Sequence, residues 1–550
     1  MSIGAKRWFG TLAAAWLISA AAASGQEAAP APIAAKVGSL GERVEAVING
    51  REFGPGQWGL LVVEAATGRT VYERDADRLF CPASVTKLFS TAAALVDLGA
   101  DHRFKTPVVR RGEVKDGTLR GDLILVARGD PSLGGRTGPD GGLLFEDNDH
   151  SYAGGNPDAS LVAADPLAGL THLARGVQAA GIRAVAGDVV VDDRMFEHAP
   201  STGSGPPRVA PIVVNDNVID VLITPGAKAG DPARVRTVPE TAFAAIDARV
   251  ETSAEGSGPA AVEVRAAGPR RFAVRGQVPA GHKPVLKTYE VEEPAAFARA
   301  LFIETLASRG VRIIASPLGE NPASALPSRA EVAGLPVVAE YTSPPLREYL
   351  KVILKVSQNL HASTLPLLMA AHHGATTLER GLRVEGETLA RLGVDVKTIS
   401  FGGGAGGSRS DLVTPRATVA LLRAMAARPD FPAYDAALPV LGRDGTLAKA
   451  VPPESPARGH ARAKTGTFWV DNGLDGRPVL VSKALAGFLE TAAGKKLAFA
   501  FFLNNAPVDA VKGPIHEVAA AAGKKLGRLC EVFYADTPEA AEHPTTPTPR

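Results

Sequence analysis

A proline and small residues, Pro82-Ala83-Ser84-Val85-Thr86-Lys87, feed directly into the apolar run Leu88-Phe89-Ser90-Thr91-Ala92-Ala93-Ala94-Leu95-Val96. Proline suits a helix's first turn and helix formers follow it, so Ser84 and Lys87, three apart, are expected side by side on one face. A serine hydroxyl is a weak nucleophile until a neighbour takes its proton, and lysine can do so only when neutral. Bringing lysine from about 10.4 to near neutrality costs roughly 4 kcal/mol and demands burial or a second cation close by. Taken alone, Ser-x-x-Lys recurs by chance in a chain this long and reads as a helix start with a solvated lysine. The rest of the chain has to supply what the pair lacks.

With 550 residues, 45% of them hydrophobic, the chain can bury a large core in two or three domains. A formal net charge of +2 without a basic block argues against nucleic acid as a partner. Cys81 and Cys530 make neither a disulfide framework nor a metal cluster, and a bridge between them needs close Cα spacing. At the start, Lys6 and Arg7, an apolar segment from Trp8 to Ala23 and Ala23-Ser24-Gly25 describe a signal peptide over residues 1–25. The apolar run falls short of the roughly 20 residues of a membrane anchor. An exported, periplasmic or otherwise extracytoplasmic protein is expected.

Residues 26–38 are an Ala/Pro-rich linker, Gly41 to Asn49 favours helix, and Gln57–Glu64 with Thr70–Glu73 reads as a β-hairpin turning at Ala66-Thr67-Gly68. The stretch 134–158 gathers Asp140, Glu146, Asp147 and Asp149 among glycines; its spacing fits no EF-hand, so a solvated surface loop is expected. From Arg234 to Val278, short strands between glycine turns suggest a small β module set inside a larger one. Helices are expected over 294–309, up to Lys355 and from Asn359 to Met369, then strands over 438–505 and a last helix from about Pro514 to Tyr534. His361, His372 and His373 lack a His-x-x-x-His pair with a helper acid, so no metal is expected.

Two further short motifs each occur once: Ser357-Gln358-Asn359, at a bend between helices, and Lys464-Thr465-Gly466-Thr467, opening a strand. Strand alternation points Lys464 and Gly466 one way, Thr465 and Thr467 the other, and glycine there lets a substrate backbone come close. Lys464 is the second cation that Lys87 requires.

Ser-x-x-Lys, Ser-x-Asn and Lys-Thr-Gly in this order form the pattern of penicillin-binding proteins and class A β-lactamases. From about residue 40 to 530 the chain resembles the D-alanyl-D-alanine carboxypeptidase/endopeptidase family, the class C low-molecular-mass penicillin-binding proteins. Gly129-Asp130-Pro131-Ser132-Leu133, Val214-Asn215-Asp216-Asn217 and Asp444-Gly445-Thr446-Leu447 support the resemblance. It implies an α/β (α+β) serine β-lactamase/transpeptidase-like domain, an antiparallel sheet with helices, over 39–102 and 337–534. Into it would be set a large β-rich double module: domain II over 103–226 and 284–336, and a nested domain III over 227–283. A disordered tail would follow at 535–550.

Carried over by position, the resemblance makes Ser84 the acylated nucleophile and Lys87 its base. Ser357 would relay the proton to the leaving group, and Asn359 would hold Lys87 and the substrate amide. Lys464, Thr465 and Thr467 would bind the terminal carboxylate, with Gly466 admitting the substrate backbone. No cofactor is implied; the partners are peptidoglycan stem peptides, with β-lactams as inhibitors. A hydrolytic β-lactamase and a non-catalytic cell-wall-binding scaffold remain the alternatives. Two departures stand out. Gly403-Gly404-Ala405-Gly406-Gly407-Ser408 replaces the family's Asp-Gly-Ser-Gly-Leu-Ser, and Trp469 to Ser482 is an insertion expected to form a flap over the cleft.

Overall fold

The computed structural model describes residues 38–156, 159–506 and 515–536; the signal segment, the linker through residue 37 and the tail from 537 lie outside them. A five-stranded antiparallel sheet organises the catalytic part. Its strands are β1 (Gln57–Glu64), β2 (Thr70–Arg74), β3 (Ala461–Asp471), β4 (Pro478–Glu490) and β5 (Lys496–Ala506), in the order β3-β4-β5-β1-β2. The pairing of β1 with β5 joins the two ends of the chain across everything between them.

Alternation along β5 explains the layers. Phe499, Phe501 and Leu503 pack with Trp58, Leu60 and Val62 in a core closed by helix α1 (Leu40–Ile48) and the C-terminal helix Ile515–Tyr534. Ala498, Ala500 and Phe502 face the other way, into a core with Val85, Leu88 and Phe89. That core belongs to α2 (Thr86–Leu98), α3 (Leu346–Lys355), α4 (Asn359–His372), α5 (Leu378–Arg391) and α6 (Pro415–Ala426). Every residue of α2 from Thr86 to Leu95 is buried, as expected of a helix apolar nearly all round, and Gly99, at φ 90°, ends it. Ser84 lies not within the helix but in a 3₁₀ turn, Ala83–Val85, that runs into it.

Between α2 and α3 the chain leaves to build the inserted modules. The larger has a six-stranded sheet to which Val337–Thr342 contributes by pairing with Lys105–Lys115, beyond the edge at residue 336 drawn from the sequence. Two three-stranded sheets follow, one around Val218–Thr224 and one comprising Ala245–Ser253, Ala261–Gly268 and Arg271–Pro279. All share one apolar core with helices Ala168–Ala179 and Pro294–Ser308. The insertion 469–482 does not stand apart as a flap: it lengthens the β3-β4 hairpin, with Trp469 opposite Leu480 and Asp471 opposite Pro478.

Phe80, just ahead of the Ser84 turn, stacks on Phe502 at 5.8 Å between centroids, over Gly59 of β1. A Cβ on Gly59 would fall 2.2 Å from the Phe80 ring. Gly59→Ala should therefore destabilise the protein by about 1 to 3 kcal/mol, the usual cost of overpacking. A lower urea midpoint at unchanged slope is the expected readout; an unchanged midpoint would contradict the packing.

Candidate functional site

The site forms where the Ser84 turn meets the edge strand β3. Gly466 lies against the turn, and a Cβ there would come within 2.4 Å of the Pro82 carbonyl oxygen. Lys87, fully buried, points its amine back along the turn: Nζ lies 2.8 Å from Ser84 Oγ, 2.7 Å from Asn359 Oδ1 and 2.8 Å from the Ala405 carbonyl oxygen. Asn359 opens α4, and its Nδ2 donates to Ser204 Oγ at 2.9 Å, which orients the amide with its oxygen towards Lys87. Ser357 occupies the bend between α3 and α4 with φ 66°, half-buried. Behind it Gln358 caps α4, Oε1 accepting from the Leu360 amide at 2.7 Å. Lys464 is fully buried on the same side of β3 as Gly466, and Nζ donates to the Thr465 carbonyl at 2.9 Å. Thr465 Oγ1 donates to Thr446 Oγ1 at 2.8 Å.

Burial brings the Lys87 pKa down to about 7, against the pull of Asp149 and Asp411, which favour the ammonium. Lys464 is pushed well below its ordinary value by burial first, then by the charges of Lys87 and Lys483. The two amines thus face one cleft and repel each other. The sequence assigned the lowering of Lys87 to Lys464; in the structure burial is the largest cause at both amines.

Enclosure comes from the glycine run. Residues 402–408 fold over Lys87 so tightly that a Cβ on Gly404 would lie 2.1 Å from the Ala362 carbonyl oxygen. Gly406 has φ 90°, and a Cβ there would lie 1.9 Å from the Ala83 carbonyl oxygen. Asp411, fully buried, ties both ends of the loop, Oδ1 accepting from the Gly402 amide at 2.7 Å and Oδ2 from the Ser408 amide at 2.9 Å. Burial nonetheless raises its carboxyl to about 6, and nearby Glu385 of α5 is raised to about 8 by burial and by Asp411. The motifs of this sequence contain neither acid.

Over residues 134–156 the solvated loop that the composition suggests is present only in part: Asp140, Glu146 and Asp147 are exposed, but the segment also packs against the site. Asp147 Oδ1 accepts from the Gly445 amide at 2.7 Å and Asp149 Oδ2 from the Asn359 amide at 3.2 Å, so the inserted module forms one wall of the cleft. His150 and His361 converge on buried Asp216, at 2.8 and 2.7 Å, and Arg136 pairs with the same carboxylate. Burial alone would raise Asp216, but these three cations and donors hold it well below the usual carboxylate range. His361 is thus a structural anchor. Among the described residues no group of three His, Cys, Asp or Glu could hold a metal ion, and Cys81 and Cys530 are free.

A helix-covered antiparallel sheet with a serine hydroxyl beside a buried lysine amine at its edge is the arrangement of the penicillin-recognising serine peptidases, and known proteins carry the comparison further. Penicillin-binding protein 4 (dacB) of Haemophilus influenzae shares the fold, with a TM-score of 0.65 at 20% identity over 88% of this chain and 98% of that one. In sequence the chain is 33% identical over 469 residues to the D-alanyl-D-alanine carboxypeptidase of Actinomadura sp., covering 80% of this chain and 79% of that protein. It is 23% identical to D-alanyl-D-alanine carboxypeptidase DacB of Haemophilus influenzae, over 81% of this chain and 85% of that one. The model of the D-Ala-D-Ala carboxypeptidase 3 (S13) family matches residues 40–522, and the chain belongs to that family. It is accordingly an enzyme, a serine-type carboxypeptidase.

An NMR titration of lysine side-chain nitrogens should find Lys87 with a midpoint at about 7. Asp411→Asn removes a negative charge that favours the ammonium, so the midpoint should fall further. A midpoint near 10, or no response to Asp411→Asn, would contradict the electrostatics described.

Proposed function

We propose that the protein is exported and cleaves the terminal D-Ala-D-Ala peptide bond of peptidoglycan stem peptides through an acyl-enzyme on Ser84. The carrying observation is the set of contacts at Lys87 Nζ. A neutral amine has two N–H donors and one lone pair. Asn359 Oδ1 and the Ala405 carbonyl, which can only accept, take up both donors and leave the lone pair for the Ser84 hydroxyl. Held this way, the lysine takes the serine proton.

The alkoxide then attacks the carbonyl carbon of the penultimate D-Ala, and the amides of Ser84 and Thr467 stabilise the oxyanion, each donor contributing about 3 to 4 kcal/mol. As the C–N bond breaks, the proton passes from Lys87 through Ser357 to the departing D-Ala amine. Asn359 holds Lys87 and the amide of the bound peptide. Lys464, with the hydroxyls of Thr465 and Thr467, binds the terminal carboxylate, and Gly466 lets the peptide lie close to β3. Water, deprotonated by Lys87, releases the acyl group. The same geometry cuts D-amino-acid cross-bridges, an endopeptidase activity. A β-lactam, whose ring mimics the dipeptide, acylates Ser84; the Haemophilus influenzae relative has been solved with a β-lactam bound.

Ser84→Ala should abolish labelling by a fluorescent penicillin and lower D-Ala release from a muropeptide by about 10⁴-fold or more, with the circular dichroism spectrum unchanged. Identical labelling of wild type and variant would overturn the assignment. Rapid loss of label from the wild type would mark a β-lactamase, and unaltered muropeptides with binding to isolated sacculi would mark a scaffold.

A further inference from the structure

The face of the sheet turned away from Lys87 carries, beside β3, a residue that belongs to no motif. Lys483 stands on β4 opposite Thr467, half-buried. Its stem passes Gly523 of the C-terminal helix, where a Cβ would come within 3.2 Å of Lys483 Cε, and Nζ donates to Thr467 Oγ1 at 2.8 Å. An ammonium offers only donors, so Lys483 occupies a lone pair of that hydroxyl and leaves its O–H to be given elsewhere. Thr465 differs, because its O–H is already spent on Thr446 Oγ1.

Charge points the same way. Lys464 approaches the strand from the α2 side and Lys483 from the side of the C-terminal helix, near enough for Lys483 to push Lys464 down. Burial alone brings Lys483 to about 8, with no carboxylate among the described residues acting to raise it. Two amines, Lys464 fully buried and Lys483 half-buried, flank one strand edge with a free hydroxyl proton between them, an arrangement that suits an anionic group on the ligand.

We infer that Lys483 is a specificity-determining positioning residue, which turns the Thr467 hydroxyl proton outward and adds a second positive charge for the terminal carboxylate of the substrate. The inference rests on the proposed function, in which the β3 edge binds that carboxylate. Lys483 acts through Thr467 and touches no reacting atom. Its effect falls on the choice between ligands with a free and a blocked carboxylate.

The test compares acylation of the full chain by a penicillin and by its methyl ester, in wild type, Lys483→Met, Lys483→Gln and Lys483→Arg. Lys483→Met should lower the ratio of acid to ester rate constants about tenfold and raise KM for a D-Ala-D-Ala peptide by more than it lowers kcat. Lys483→Gln, able to donate but uncharged, should fall between, and Lys483→Arg should restore most of the ratio. It also serves if Lys483→Met fails to fold, since Lys483→Gln against Lys483→Arg still isolates the charge. An unchanged ratio in both Lys483→Met and Lys483→Gln, or equal losses with acid and ester, would overturn the inference. Persistence of labelling in Ser84→Ala would instead overturn the function on which it rests.

Discussion

A lysine amine shut away from water beside a serine hydroxyl is the condition the rest of the structure serves. Lowering an amine from about 10.4 to about 7 corresponds to roughly 4 to 5 kcal/mol of lost preference for the charged form. Lys87 meets it by enclosure between α2, the first residue of α4 and the loop 402–408. Two acceptors satisfy its N–H groups, so the neutral form is favoured without leaving a buried donor unpaired. Asp149 and Asp411 pull the other way. Their opposition keeps the amine close to neutrality instead of far below it, where it would be a poor base.

The inserted modules help to build this enclosure. Thr202 accepts from the Gly407 amide at 3.0 Å, Ser204 orients Asn359, and Asp149 receives the Asn359 amide. Asp216 anchors the arrangement from behind by gathering Arg136, His150 and His361, the last of these on α4 two residues beyond Asn359. Asp130 adds a second tie, accepting from the Tyr349 hydroxyl of α3 at 2.6 Å. Buried charges of this kind hold only as a complete set, since removing one partner strands another at a cost of about 3 to 5 kcal/mol. The modules that a sequence shows as an interruption between Lys87 and Ser357 therefore fix the geometry between Lys87 and Asn359.

What could be seen from the residues alone was what depends on local spacing. The Ser84-to-Lys87 interval, the bend at Ser357, the hairpin of β1 and β2 and the strand through Lys464, which starts three residues earlier at Ala461, are each set within a few residues, so their patterns survive in one dimension. The enclosure of Lys87 is not local. Ala405 closes it from more than 300 positions away, using a carbonyl that every residue possesses, and glycines beside it signal only freedom of the backbone. Asp149 and Asp411 sit among Gly, Ser and Asn, a composition shared by solvated turns; their burial depends on which module packs above them. Lys483 is one lysine among many until the register of β4 sets it opposite Thr467. The 469–482 insertion misled for a related reason: extra residues between two strands look like a loop until their pairing shows a longer hairpin.

Neutron diffraction from deuterium-exchanged crystals at pH 8 tests the protonation of this site most directly. Two deuterons on Lys87 Nζ, directed at Asn359 Oδ1 and the Ala405 carbonyl, with one on Ser84 Oγ aimed at the nitrogen, is the result expected of an amine poised to act as base. Three deuterons on Nζ, one of them pointing at a Ser84 oxygen that keeps its own deuteron, would contradict it.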